Sequence, residues 1–219
     1  MLLRHTLVYV NPGAWRDHLS KRPDVAAQPL ALRWADQGWP FVVRRRHPME
    51  SGDTVPLALP LPPMAGKQRI AVALEHCDIT ATADFPDVLD VLNVAPHTWH
   101  PCLQQLHQTA ARYGIRARVF GSLGWQYLTG LTYLGPRSDL DVLLTWPEAG
   151  RMHELPGALA QIESAAPVRL DCELIRSDGA GVNWRELHAG STMLALKTAS
   201  GVALVSRDEL LEHRHESSC

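Results

Sequence analysis

The spacing of apolar positions changes character along the chain. In residues 1–92, short apolar runs are broken by proline and glycine, and Phe41–Val43, Val55–Leu59 and Ile70–Leu74 read as strands bounded by turn signals. Twelve of the 16 prolines fall within residues 1–101. Proline removes a backbone donor and breaks helices, so this part is expected to consist of short strands and turns. Pro60, Pro62 and Pro63 mark a stiff, extended connection.

From about Pro86 the texture shifts. Residues 98–113 carry Leu103, Leu106 and Ala110 at helical spacing, with Pro101 tolerated in the first turn and Gly114 as the stop. A short strand, Ile115–Phe120, follows, then a Gly-Ser turn and a helical stretch over 122–134. Leu140–Thr145 is an apolar strand and Val168–Ile175 another. Met193–Thr198 and Val202–Ser206 flank Ala199-Ser200-Gly201 as a hairpin, and Ser206 with Glu209 forms a capping box for a C-terminal helix. The pattern predicts an α+β (mixed α/β) protein. A β-rich N-terminal domain over 1–92 is expected to precede a domain over 93–219 with a mixed sheet flanked by helices.

Composition narrows the functional classes. With 219 residues, 46% of them apolar, the chain can bury a core without staples, and bulk disorder is excluded. A net charge of -2 is poor equipment for tracking a nucleic-acid backbone. The densest basic cluster, Arg44, Arg45 and Arg46, reads equally as a solvated edge strand or loop. Cys77, Cys102, Cys172 and Cys219 show no CxxC spacing and suit a reducing compartment. No apolar run approaches a membrane span or a signal peptide, so a cytoplasmic protein without membrane or nucleic-acid partners is expected.

Three pieces carry candidate chemistry. In Phe120-Gly121-Ser122 a strand meets a helix, where Gly121 permits close backbone approach and Ser122 can cap. Free amides and the positive dipole end suit phosphate there. In Ser138-Asp139-Leu140-Asp141 two carboxylates share one strand face, about 6.6 Å apart along the chain, inside an apolar frame. Such a pair is satisfied by Mg²⁺, two ions of which clamp a transferring phosphoryl group, or else by water and arginine. Asp171 lies in a second apolar strand with Glu173 on its face. Asp171 can complete the metal site or deprotonate an attacking hydroxyl, or Arg169 pairs with one of these acids structurally.

The order Gly-Ser, Asp-x-Asp, later strand carboxylate resembles the nucleotidyltransferase superfamily that includes DNA polymerase beta. Residues 120–144, FGSLGWQYLTGLTYLGPRSDLDVLL, and residues 170–187, LDCELIRSDGAGVNWREL, are similar more narrowly to the malonate decarboxylase holo-acyl-carrier-protein synthases, the phosphoribosyl-dephospho-coenzyme A transferases. GWPFVVRRR (38–46) and LPLPPMAGKQRIAV (59–72) extend the likeness over most of the chain. Sixteen residues separate Ser122 from Asp139. The excess over the wider superfamily falls in Thr129–Arg137 and suggests an extra turn after a shortened helix. Cys172 stands where a small residue such as glycine is expected, and reads as a packed thiol.

The resemblance implies transfer of a phosphoribosyl-dephospho-CoA prosthetic group from a triphosphate donor to a serine of the apo acyl-carrier subunit, with loss of pyrophosphate. It implies Asp139, Asp141 and Asp171 as catalytic and Mg²⁺-binding residues, with Gly121 and Ser122 on the leaving phosphates. Arg137, Ser138 and Lys67 are further substrate-binding candidates, followed by Arg69, Arg116 and Arg118. The N-terminal domain would cover the donor or dock the carrier. Rival readings are another Mg²⁺-dependent small-molecule or protein nucleotidyltransferase, including a citrate lyase carrier modifier, and a non-catalytic nucleotide-binding module. Trp125, Tyr127, Leu128 and Leu131 line an adenine or pantetheine pocket or pack in the core, and Trp184 packs with Arg185 and Glu186 left exposed. His97 and His100 have HxxH spacing without an evident third ligand, and His213, His215 and Cys219 sit in a terminal tail.

Overall fold

A computed structural model describes residues 2–147 and 151–212; His213, His215 and Cys219 lie outside the described residues. The chain divides into two compact units, one of residues 1–85 and 125–134, the other of residues 86–124 and 135–219.

The first unit begins with β1 (Leu7–Val10), followed by α1 (Pro12–Ser20), α2 (Pro23–Ala26) and α3 (Pro29–Arg33). β2 (Phe41–Val43), β3 (Thr54–Pro60), β4 (Arg69–Glu75) and β5 (Ile79–Ala83) complete an antiparallel sheet in the order β4-β3-β2-β1-β5. The three anticipated strands are present. The three helices correct the expectation of strands and turns alone. Pro12, Pro23 and Pro29 each stand in a first helical turn, where the missing N–H has no intrahelical partner to lose. Asn11 caps α1 by accepting from the Gly13 and Ala14 amides at 2.8 and 3.3 Å.

Aromatic packing consolidates this unit. Trp15 is fully buried, donates Nε1–H to the Ala31 carbonyl at 2.8 Å and meets Phe41 edge-on. Trp34 donates to the Pro40 carbonyl at 3.0 Å. The arginine cluster is not a solvated loop. Arg44 is half-buried, ion-paired with Glu50, and donates to the Leu57 carbonyl at 3.0 Å. Arg46 donates to the Ser51 and Thr54 carbonyls, so both side chains tie the 47–53 loop to β3.

The second unit opens with α4 (His100–Tyr113), which buries Cys102, Leu103, Leu106 and Ala110 on one face and ends at Gly114 in the left-handed region, φ +67°. Then come β6 (Ala117–Val119), α5 (Gly121–Thr129), β7 (Leu140–Thr145) and α6 (Leu155–Ala165). β8 (Leu170–Ile175), β9 (Gly181–Asn183), α7 (Trp184–His188), β10 (Met193–Lys197), β11 (Val202–Ser206) and α8 (Arg207–Glu212) follow. The sheet order is β11-β10-β9-β8-β7-β6. Only β7 and β8 are parallel, joined by the α6 crossover, so the sheet is mixed as expected.

The helix expected over 122–134 stops at Thr129. Gly130 adopts φ +70°, and residues 125–134 belong to the first unit. There Trp125 packs against Trp34 and Phe85 as core, while Tyr127 is exposed. Half of the anticipated capping box is seen at the start of α8, where the Glu209 amide donates to Ser206 Oγ at 3.1 Å. No helix of the described residues is long and apolar enough to cross a membrane.

Candidate active site

Alternation along β7 and β8 separates two chemistries. Leu140, Val142, Leu144, Leu170, Cys172 and Leu174 are buried on one face of the sheet. Asp141, Asp171 and Glu173 point to the other. The parallel register places Asp141 directly beside Asp171 and Leu143 beside Glu173. β6 and β9 bring Arg118 opposite Leu143 and Asn183 opposite Glu173 on the same face. Asp139 lies one residue before β7, in the same alternation.

Gly121 meets this face at the start of α5. Its φ is +58°, and a Cβ there would lie 1.8 Å from Asp141 Oδ2. The Asp141 carboxylate therefore occupies the space of the absent side chain, pressed against the first turn of the helix. The Phe120 amide donates to the Asp141 carbonyl at 3.1 Å and fixes that approach. Ser122 is half-buried in the same turn.

The remaining candidates divide by place. Ser138 closes a turn, accepting from the Gly135 amide on Oγ at 2.9 Å, and this turn carries Arg137 out to solvent. Arg169 approaches Asp139 at 3.9 Å with both side chains well exposed, a pair worth little in water. Arg116 is exposed at the far end of β7, opposite Thr145. Lys67 and Arg69 belong to the first unit; Lys67 sits in a tight turn at φ +51° and both are exposed. The structure thus brings Gly121, Asp141 and Asp171 together, with Ser122 in the turn that follows Gly121 and Asp139 just before β7, all in the second unit.

Three residues of the face make contacts that the sequence does not reveal, although strand alternation already places Glu173 beside Asp171. Glu173 is only 5% exposed, with Lys197 Nζ at 3.6 Å. Gly181 makes room for it, since a Cβ there would lie 2.5 Å from Glu173 Oε1. Asn183 donates Nδ2–H to Asp171 Oδ1 at 2.7 Å and caps α7 by accepting from the Arg185 amide at 2.9 Å. A cap is legible from an asparagine before Trp-Arg-Glu-Leu, whereas the bond to Asp171 is not.

Behind Asp171 the backbone is clamped. Trp184 Nε1 and Arg185 Nη2 both donate to the Leu170 carbonyl, at 3.1 and 2.9 Å, and Glu163 accepts from the Leu170 amide at 2.9 Å. Arg185 pairs with Glu163 and lies over the Trp184 ring, 4.8 Å from its centroid. Glu186 accepts from the Ala195 amide at 2.7 Å. Arg185 and Glu186 are therefore both engaged and half-buried, which corrects the expectation that they are exposed. The Arg185 guanidinium holds the Glu163 carboxyl below the ordinary carboxylate range.

Cys172 is fully buried, and burial pushes its thiol well above the ordinary value; Cys102 is pushed up to about 11 for the same reason. Both stay protonated and act as packing groups. His97 and His100 stack edge-on at 4.9 Å. Among the described residues no three His, Cys, Asp or Glu side chains are already grouped to hold a metal ion.

Comparisons with known proteins add family evidence. Residues 3–85 match the family model described as phosphoribosyl-dephospho-CoA transferase MdcG N-terminal domain, and residues 87–208 match the corresponding C-terminal domain. A phosphoribosyl-dephospho-CoA transferase of Bradyrhizobium diazoefficiens is 43% identical over 208 residues, covering 95% of this chain and 92% of that one. The protein of that name from Xanthomonas campestris pv. campestris is 36% identical over 96% of this chain and 97% of its own. The one from Pseudomonas syringae pv. tomato is 31% identical over 88% and 89%. No solved structure matches.

Proposed function

Because the chain belongs to the phosphoribosyl-dephospho-CoA transferase family, we propose that it transfers the 2′-(5″-phosphoribosyl)-3′-dephospho-CoA group to the apo acyl-carrier subunit of malonate decarboxylase. The donor is the 5″-triphosphate of that group and the acceptor is a carrier serine. The serine oxygen forms a bond to the α-phosphorus while the bond to the bridging oxygen breaks. Pyrophosphate leaves, the serine proton passes to a base, and a phosphodiester remains.

The observation that carries this reading is the seat of the Asp141 carboxylate against the Gly121 backbone, with Asp171 beside it in register. That arrangement puts a helix start, suited to phosphate, next to carboxylates suited to a divalent cation. The amides of the first turn of α5 and the Ser122 hydroxyl hold the leaving phosphates. Asp171 orients the incoming hydroxyl and accepts its proton.

Asp139, Asp141 and Asp171 fit Mg²⁺ in donor chemistry, being hard oxygen ligands. Mg²⁺ is commonly held by one or two carboxylates together with substrate phosphates, so a ready-made cage of protein ligands is not required. Two such ions would supply neutralisation of the charge that builds on the pyrophosphate.

Intact-mass spectrometry of the apo carrier, after incubation with this protein, Mg²⁺ and the triphosphate donor, tests the proposal. The expected result is a gain equal to one phosphoribosyl-dephospho-CoA group, with turnover reduced about 100-fold or more in Asp139→Ala and in Asp141→Ala. No gain with folded protein and verified donor, or wild-type turnover in both variants, would overturn it.

A further inference from the structure

We propose that Asn183 is a positioning residue of the transferase site, holding the Asp171 carboxylate by one oxygen so that the other is presented to the reaction. The inference rests on the role given to Asp171 above. Both ends of the Asn183 amide are committed. Its Oδ1 accepts from the Arg185 amide at 2.9 Å, which leaves Nδ2–H as the group facing Asp171 Oδ1 at 2.7 Å. The amide orientation is therefore set by the helix cap, and a donor always faces the carboxylate.

The setting makes this more than an incidental contact. Asn183 stands opposite Glu173 in the β8–β9 register, on the sheet face that carries Asp141 and Asp171. The two residues after it are bolted to the peptide before Asp171, through Trp184 Nε1 and Arg185 Nη2 on the Leu170 carbonyl. Asp171 is thus fixed in its backbone by residues 184 and 185, and in its side chain by residue 183. With χ1 and χ2 restrained by the Oδ1 bond, Oδ2 keeps one direction. A reacting carboxylate held in place by a neighbour loses less freedom when the substrate arrives.

The two roles of Asn183 can be separated by substitution. Ser and Asp both retain a cap acceptor for the Arg185 amide. Ser loses the reach to Asp171, and Asp replaces the donor by a second carboxylate. Purified full-length Asn183→Ser and Asn183→Asp proteins are compared with wild type and Asp171→Ala in the carrier mass assay, alongside thermal unfolding. The expected result is kcat lowered about 10- to 100-fold in both Asn183 variants with the KM for donor changed far less, and a midpoint temperature close to wild type in Asn183→Ser, where no like charge is introduced. Asn183→Asp should be the slower of the two.

Wild-type kcat in Asn183→Ser and Asn183→Asp, with Asp171→Ala strongly impaired, would make Asn183 a helix cap only and overturn this inference alone. Full activity in Asp171→Ala would instead overturn the role of Asp171, and the inference with it. A kcat loss in Asn183→Ser that follows a lowered midpoint temperature, and is restored at lower assay temperature, would also overturn it, since the defect would then be one of stability.

Discussion

The carboxylate of Asp141 lies where any side chain at position 121 would begin. Gly121→Ala would both set an L-residue at φ +58° and drive its Cβ to 1.8 Å from Asp141 Oδ2, so the carboxylate must move. The left-handed backbone alone is worth about 1–2 kcal/mol, and a displacement of order 1 Å at a reacting group lowers turnover by about 100-fold. Gly130 supplies the control: its φ is +70°, but a Cβ there meets nothing within 4 Å. Gly130→Ala should lower the midpoint of unfolding by a similar backbone penalty while kcat stays within about threefold of wild type. Equal kcat losses in the two variants would show that α5 geometry in general, rather than the Asp141 approach, governs turnover. The Gly-Ser pair before a helix was legible in the sequence. The need for glycine was not, because the group that requires it lies 20 positions downstream and arrives only through the pairing of β6 with β7.

At the scale of elements, what could be read depended on whether proline was a stop or a start. β2, β3, β4, β7, β8, β10 and β11 followed from apolar runs and turn residues, and α4 from its apolar spacing and Gly114. α1, α2 and α3 did not, because Pro12, Pro23 and Pro29 break helices in an interior yet open them at the first turn. α6 was obscured by Pro156 and Gly157 within Leu155–Ala165, although Leu155, Leu159 and Ile162 have helical spacing. The loop between β2 and β3 shows how charge substitutes for apolar burial in a short connection. Arg44 lies beside Glu50 and holds its carboxyl down to about 2 from an ordinary 4.5. A depressed carboxyl stabilises the fold fully above its unfolded value, and that contribution is lost as pH falls from 4.5 toward about 2. The pair is partly exposed, so about 1 kcal/mol is at stake, or about 4–8 °C in the melting of a unit this size. Wild type should therefore lose more melting temperature than Arg44→Met across that interval. Parallel pH curves would show that the pair contributes nothing.

Over the whole molecule, sequence order and compact units do not coincide. The family models meet at residues 85 and 87, so the chain invites cutting there. The first unit, however, includes residues 125–134, which sequence order places between the Gly121-Ser122 turn and the Asp139-x-Asp141 motif. Trp125 is almost fully buried, with its ring centroid 6.4 Å from that of Trp34 and 5.7 Å from that of Phe85. Tyr133 donates its hydroxyl to the Pro60 carbonyl at 2.8 Å. The segment between the two motifs therefore supplies core to the first unit, through Trp125 and Tyr133. A fragment of residues 1–85 should consequently lack a plug for Trp34 and Phe85, and show weak near-UV circular dichroism with dye binding to exposed apolar surface. In the full chain, Trp125→Ala should remove about 3–5 kcal/mol through the cavity it leaves, with Trp125→Phe losing much less. A 1–85 fragment that unfolds cooperatively, with native near-UV signal, would mean that the segment is accommodated by this unit rather than required by it.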